Sequence, residues 1–236
     1  MNIGGTVVSS VEFHKNMSLV IFMSKCPLAC RYCHNVELLD DTSEKSFNEL
    51  KKEIDASADF LDAIVISGGE PLVQCDAVIE ILQYVRQIGL KTKLDTSGIY
   101  PDKLKKILDL NLLDYISLDV KNPFSKYRKI TGADVGRDVK KSMDIINESG
   151  VHLEIRTTFV HSLHNKKDII DIASEIKSDV YTIQQFRNKN VLDPSLEKTE
   201  VPNPHDLADI AREAKNFFDG VVKVKSAEFG EKIIEE

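Results

Sequence analysis

Short β-branched runs alternate along the chain with longer segments whose apolar residues recur three or four positions apart. This alternation predicts strand-helix units that assemble a mostly parallel sheet. The predicted strands are Ser18 to Met23, Ala63 to Ser67, Lys91 to Asp95, Tyr115 to Asp119, Leu153 to Phe159 and Val180 to Gln184. The predicted helices are Ser46 to Ala58, Asp76 to Gly89, Asp102 to Asn111, Val139 to Ser149, Lys167 to Lys177 and Pro204 to Phe218. In the fourth helix Val139, Met143, Ile145 and Ile146 share one face, which leaves Lys140, Lys141 and Glu148 to water. Gly89, Gly150 and Gly220 each follow a helical run and precede an apolar one, the expected place of a helix C-cap. Six such units favour an α/β fold of the open, partial-barrel kind over a flat doubly wound sheet, although periodicity by itself admits both.

With 236 residues and 42% apolar content, the chain can bury a full core in one α/β domain, and a single domain over 1–236 is the expected organisation. The formal charge of -7 and a pI near 5.5 come without clustered Lys and Arg, so a nucleic-acid partner is not expected. No stretch approaches the roughly 20 apolar residues that span a bilayer, and MNIGGTVVSS lacks the basic start and apolar core of a signal peptide. No membrane association and a cytoplasmic location are expected. Three of the four cysteines, Cys26, Cys30 and Cys33, lie within eight residues, which points to metal rather than a disulfide framework.

In parallel α/β folds, chemistry gathers at the carboxyl ends of strands. The cysteines follow the first predicted strand, Gly68-Gly69-Glu70-Pro71 the second, Asp95-Thr96-Ser97-Gly98 the third and Asp119-Val120-Lys121 the fourth. A cluster of four irons needs one ligand per iron, and the cysteine loop supplies three, leaving one iron open to a cofactor or substrate. Zinc, with His34 as a fourth ligand, and buried reduced thiols are the alternatives, but a zinc site would need a second paired element that does not accompany the loop. The bland readings elsewhere are a helix N-cap near Thr96 and Ser97, a surface ion pair for Asp119 and Lys121, a small buried apolar residue for Cys75, and surface positions for His161 and His164. Arg156 shares a strand face with Glu154 and Thr158, and a charge pointing into a barrel must be paired.

The loop Cys26-Pro-Leu-Ala-Cys30-Arg-Tyr-Cys33, with Tyr32 before its last cysteine, resembles the signature of radical S-adenosylmethionine (SAM) enzymes. The resemblance runs from about Ser18 to Phe186. It implies a partial (β/α)6 radical SAM barrel with short N- and C-terminal extensions, the latter covering about 187–236. It also implies a 4Fe-4S cluster on Cys26, Cys30 and Cys33, and SAM contacts from Tyr32, Gly68, Gly69, Glu70, Asp95, Ser97, Asp119, Lys121 and Arg156. The GGEP segment resembles the one that receives the SAM amino group, while DTSG and LDVK are similar to segments of glycyl-radical enzyme activating enzymes. Tyr32-Cys-His-Asn35 and Gln184-Gln185-Phe186 resemble the same group, the latter its anaerobic ribonucleotide reductase activators. The implied reaction is reductive cleavage of SAM to a 5'-deoxyadenosyl radical that abstracts hydrogen from a glycine of a partner glycyl-radical enzyme, of the anaerobic ribonucleotide reductase or pyruvate formate-lyase type. A flavodoxin or ferredoxin is the implied electron donor. A small-molecule enzyme of the 7-carboxy-7-deazaguanine synthase type and a zinc-stabilised interaction module are the alternatives.

Overall fold

The computed structural model describes residues 1–235. The chain forms two compact units, one from Met1–Pro27, Glu37–Thr96 and Asp102–Ser117, the other from Leu28–Val36, Ser97–Pro101 and the described part of the segment from Leu118 onward.

In the first unit, β1 (Ile3–Ser9) runs antiparallel to β2 (Ser18–Met23), which pairs in parallel with β3 (Ala63–Gly68), itself parallel to β4 (Lys91–Thr96). Strand β2 buries Leu19, Val20, Ile21 and Met23, and β3 buries Ala63 to Ile66, the continuous apolar reading of strands covered on both faces. Helix α1 (Phe47–Ser57) begins at a reciprocal capping box: Ser46 accepts the Glu49 amide and the Glu49 carboxylate accepts the Ser46 amide. Helix α2 (Cys75–Gln87) buries Val78, Ile81, Leu82 and Val85, the i, i+3, i+4, i+7 stripe of a one-sided helix. Each of these side chains contributes about 1.5–3 kcal/mol by leaving water. Helix α3 (Pro101–Leu108) ends three residues before its predicted limit.

Strand β5 (Tyr115–Asp119) carries the chain from the first unit into the second. There a single helical turn, α4 (Arg128–Thr131), stops at Gly132 with φ 77°, and α5 (Gly136–Ser149) buries Val139, Met143 and Ile146. Gly150 closes α5 in the left-handed conformation, as the sequence predicts. Strand β6 (His152–Phe159) pairs in parallel with β7 (Val180–Gln185), which pairs in parallel with β8 (Val221–Ser226). Strand β9 (Gly230–Ile233) adds an exposed antiparallel edge to β8. Helices α6 (Lys166–Glu175) and α7 (Pro204–Lys215) connect these strands and start at Asn165 and Asn203, whose side chains accept helix amides.

The predicted α/β class with parallel strands therefore holds, in a form compatible with a partial barrel. Further details differ from the sequence reading. Strands β1 and β9 were not expected, and Gly220 does not take a positive φ; a Cβ there would sit 2.7 Å from Asp179 O, so close approach is what requires the glycine. No helix among the described residues is long and apolar enough to cross a membrane.

Candidate active site

In the first unit, the chain leaves β2 through Lys25, whose φ of 76° is uncommon for a residue with a side chain. Two backbone bonds hold that turn: Lys25 N–H donates to Leu38 O at 2.6 Å, and Lys25 O accepts the Glu70 amide at 2.9 Å. Cys26 follows directly. Gly68 and Gly69 lie against this stem, with Gly69 N–H donating to Met23 O at 2.8 Å. A Cβ on Gly68 would come within 2.3 Å of Met23 O, and one on Gly69 within 2.4 Å of Lys25 O and 3.3 Å of Cys26 Cβ. The two glycines thus let one backbone lie on another at the root of the cysteine loop.

Glu70 is fully buried. Its Oε1 accepts the Leu72 amide at 3.0 Å, capping the turn Pro71–Gln74, and the Thr96 hydroxyl at 2.8 Å. Thr96 is accordingly no N-cap, and α3 begins five residues later at Pro101. Asp95 accepts the Ser67 hydroxyl at 3.3 Å and lies 3.5 Å from the Lys93 ammonium. Cys75 is buried at the first position of α2, where its thiol approaches Lys103 O at 3.7 Å.

In the second unit, the cysteine loop is held from two directions. Ala29 and Arg31 amides donate to Thr131 O and Ile130 O at the end of α4, at 3.2 and 3.0 Å. From the segment after β7, the Leu192 and Asp193 amides donate to Cys33 O and Arg31 O at 3.1 and 2.9 Å, while Arg31 Nε meets Asp193 Oδ2 at 2.8 Å. Tyr32 packs among Ile130, Val160, Leu163, Phe186, Val191 and Leu196. Burial pushes its phenol well above the ordinary range, so it stays neutral. Cys33 N–H closes a tight turn on Cys30 O at 2.9 Å. Burial also raises the Cys30 thiol, against the pull of the Lys121 ammonium. His34 Nδ1 faces Lys189 O at 3.1 Å, and desolvation keeps the ring neutral, which makes it a packing residue of the loop.

At the end of β5, Asp119 accepts Arg156 Nε at 2.9 Å and Lys121 Nζ at 3.2 Å. Burial by itself would raise this carboxyl, but the two cations override it and hold it down at about 2. Lys121, favoured by the same pairing against its desolvation, stays protonated. Ser97 is buried in this unit, next to Gly98, whose carbonyl accepts the Ser142 hydroxyl at 2.6 Å.

His164 corrects the sequence reading. It is 4% exposed, not a surface residue, whereas His161 is exposed as expected. Its Nδ1 accepts the Val160 amide at 3.2 Å and its Nε2 meets Lys121 O at 2.9 Å, so the imidazole must be neutral with its proton on Nε2. It ties the segment after β6 to the Lys121 backbone, with Asp168 and Lys129 as nearby charges. Burial lowers its pKa. The unfolded chain therefore binds a proton that the fold refuses, and this contribution is full above about 6.5 and declines as pH falls below that value. Urea midpoints should drop between pH 7 and pH 5, and more steeply in the native chain than in His164→Gln. Identical slopes would remove His164 from this role.

Among the described residues no three His, Cys, Asp or Glu side chains are gathered as a metal site, and Cys26 belongs to the first unit while Cys30 and Cys33 belong to the second. The donor set nevertheless fits an iron-sulfur cluster. Three soft thiols on one loop, none in a disulfide, are the ligand type such clusters take.

A sequence profile described as the radical SAM superfamily matches residues 20–176. A protein of Methanocaldococcus jannaschii named "Putative glycyl-radical enzyme activating enzyme" is 37% identical over 222 residues, 91% of this chain and 92% of that protein. The pyruvate formate-lyase-activating enzyme of Streptococcus mutans is 26% identical over 182 residues, covering 71% of this chain and 68% of the relative. Among solved structures, Streptococcus suis SuiB bound to S-adenosylmethionine superposes with a TM-score of 0.63 at 21% identity. That match takes in 84% of this chain and 45% of SuiB, and shows a shared fold.

Proposed function

The chain belongs to the radical SAM superfamily, and from that premise we propose that it activates a glycyl-radical enzyme, with Cys26, Cys30 and Cys33 holding a 4Fe-4S cluster that binds SAM at its open iron. What supports the reading most is the three-cysteine loop, in a chain that aligns over nearly its whole length with a relative named for that activity. When bound, cluster and SAM supply the reductive cleavage that yields a 5'-deoxyadenosyl radical, the species that takes hydrogen from a glycine Cα.

The protein's own residues position and shield. The turns around Cys30 and Cys33 are fixed by backbone bonds on both flanks, so their thiols are presented with little freedom. Gly68 and Gly69 offer bare backbone to the SAM amino group, and Glu70 fixes their turn through Leu72 and Thr96. Lys121 and Arg156 both pair with Asp119, and their two cationic groups suit the methionine carboxylate. Asp95 and Ser97 serve the methionine carboxylate, the ribose or a nearby cation, and the ring of Tyr32 walls the loop that carries the cluster. A flavodoxin or ferredoxin supplies the electron, and the protein works in the cytoplasm without nucleic acid or membrane.

The test is direct. Reduced protein given SAM and a glycyl-radical enzyme of the same source should produce a glycyl doublet in the electron paramagnetic resonance spectrum. Deoxyadenosine formed without a doublet on any such partner would instead favour a small-molecule substrate.

A further inference from the structure

Past the end of β5 the chain leaves its strand, yet backbone groups that stay buried there still need hydrogen-bond partners. Lys121 finds both of its own in side chains. Its N–H donates to the Tyr127 hydroxyl at 3.1 Å, and its carbonyl accepts the His164 Nε2 proton at 2.9 Å. Val120 is held just before it: its N–H donates to Arg156 O at 2.9 Å, and its carbonyl accepts the Thr157 hydroxyl at 2.7 Å. From a backbone pinned at these four points, the Lys121 ammonium reaches Asp119 at 3.2 Å.

Tyr127 is 2% exposed, and its ring stacks on Phe124 with centroids 6.2 Å apart and planes 9° from parallel. The loop between Lys121 and Tyr127 is closed by Asn122, whose Nδ2 donates to Lys126 O at 2.7 Å. On its other side Tyr127 O accepts the Ile130 and Thr131 amides, each at 3.0 Å, which builds the turn of α4. The carbonyls of those same two residues hold Arg31 and Ala29, the neighbours of Cys30. One residue therefore grips the Lys121 backbone with its hydroxyl and anchors the turn under the cysteine loop with its carbonyl.

We propose that Tyr127 is a positioning residue for SAM: its hydroxyl fixes the Lys121 backbone so that the ammonium is presented to the methionine carboxylate, in register with the loop that carries Cys30. His164 completes the grip from the carbonyl side. The inference rests on the reading of Lys121 as a SAM contact. A loop released from this grip spends only part of its time in the binding arrangement, and apparent affinity falls by that fraction. Saturating SAM restores the arrangement, so the loss belongs in KM and not in kcat.

Tyr127→Phe keeps the ring and its stack, and removes the one oxygen that the Lys121 amide uses. In anaerobically loaded protein with unchanged iron and sulfide, SAM should bind about tenfold more weakly in equilibrium dialysis, the scale of one buried polar group left unsatisfied. The KM for SAM in deoxyadenosine formation should rise by the same factor while kcat stays within about twofold. Exchange of the Lys121 amide with solvent should be faster than in the native chain. Lys121→Met should weaken SAM at least as much, and adding Tyr127→Phe to it should cost nothing more, because both act through one contact.

Losses that add in the double variant would mean that Tyr127 serves stability alone, and would overturn the proposal. Native affinity in Tyr127→Phe beside a weakened Lys121→Met, or unchanged exchange at the Lys121 amide, would overturn it as well. Native affinity in Lys121→Met would instead overturn the reading of Lys121. Should Tyr127→Phe fail to load iron, His164→Leu decides: weaker SAM with native kcat supports the grip, and native affinity contradicts it.

Discussion

Cys30→Ser protein, purified and reconstituted without oxygen, should lose its broad visible absorbance and produce no measurable deoxyadenosine from SAM. A hard hydroxyl replaces a soft thiolate at a position where the loop cannot shift to compensate, since Ala29 and Arg31 on either side are bonded through their backbones to Thr131, Ile130 and Asp193. The fall should exceed the 10- to 100-fold that changes around metal ligands cost. Cys75→Ser is the control. Its thiol approaches the Lys103 carbonyl in the first unit, and cluster content should be unaltered. Full deoxyadenosine output from Cys30→Ser would refute the assignment of this cysteine.

Gly69→Ala should be nearly as damaging, although it adds one methyl group and removes no ligand. The new Cβ would stand 2.4 Å from Lys25 O, a backbone atom that cannot swing aside, and 3.3 Å from Cys26 Cβ. Relief requires the stem of the cysteine loop to move, and a displacement near 1 Å at a reacting centre costs about 100-fold. Lost iron with the secondary structure intact by circular dichroism is the expected pairing. Normal iron content and normal SAM cleavage would mean that the stem yields more easily than its bonds to Leu38 and Glu70 imply.

The parallel strands and the helices between them were legible because each is long, strongly patterned and buried on the face its period predicts; α2 and α5 are the clearest cases. The elements that sequence missed are weak in that sense. Strand β1 carries two glycines at its start, β9 has four exposed residues, and α4 is one turn long. Motif spacing marked the cysteine loop and the residues of the strand ends, but not what supports them. His164 stood in the polar run HSLHN and read as surface, yet the i, i+4 bond from Val160 folds its ring inward. The clasp from Leu192 and Asp193 pairs positions about 160 residues apart, a register that no local pattern encodes.

The measurement nearest the centre of this account is the spectrum of dithionite-reduced, anaerobically purified protein before and after SAM is added. The expected result is iron and sulfide in equal amounts, a cluster signal that shifts when SAM binds the open iron, and methionine and deoxyadenosine appearing together. A colourless protein with zinc and no sulfide, leaving SAM whole under the same reductant, would contradict it.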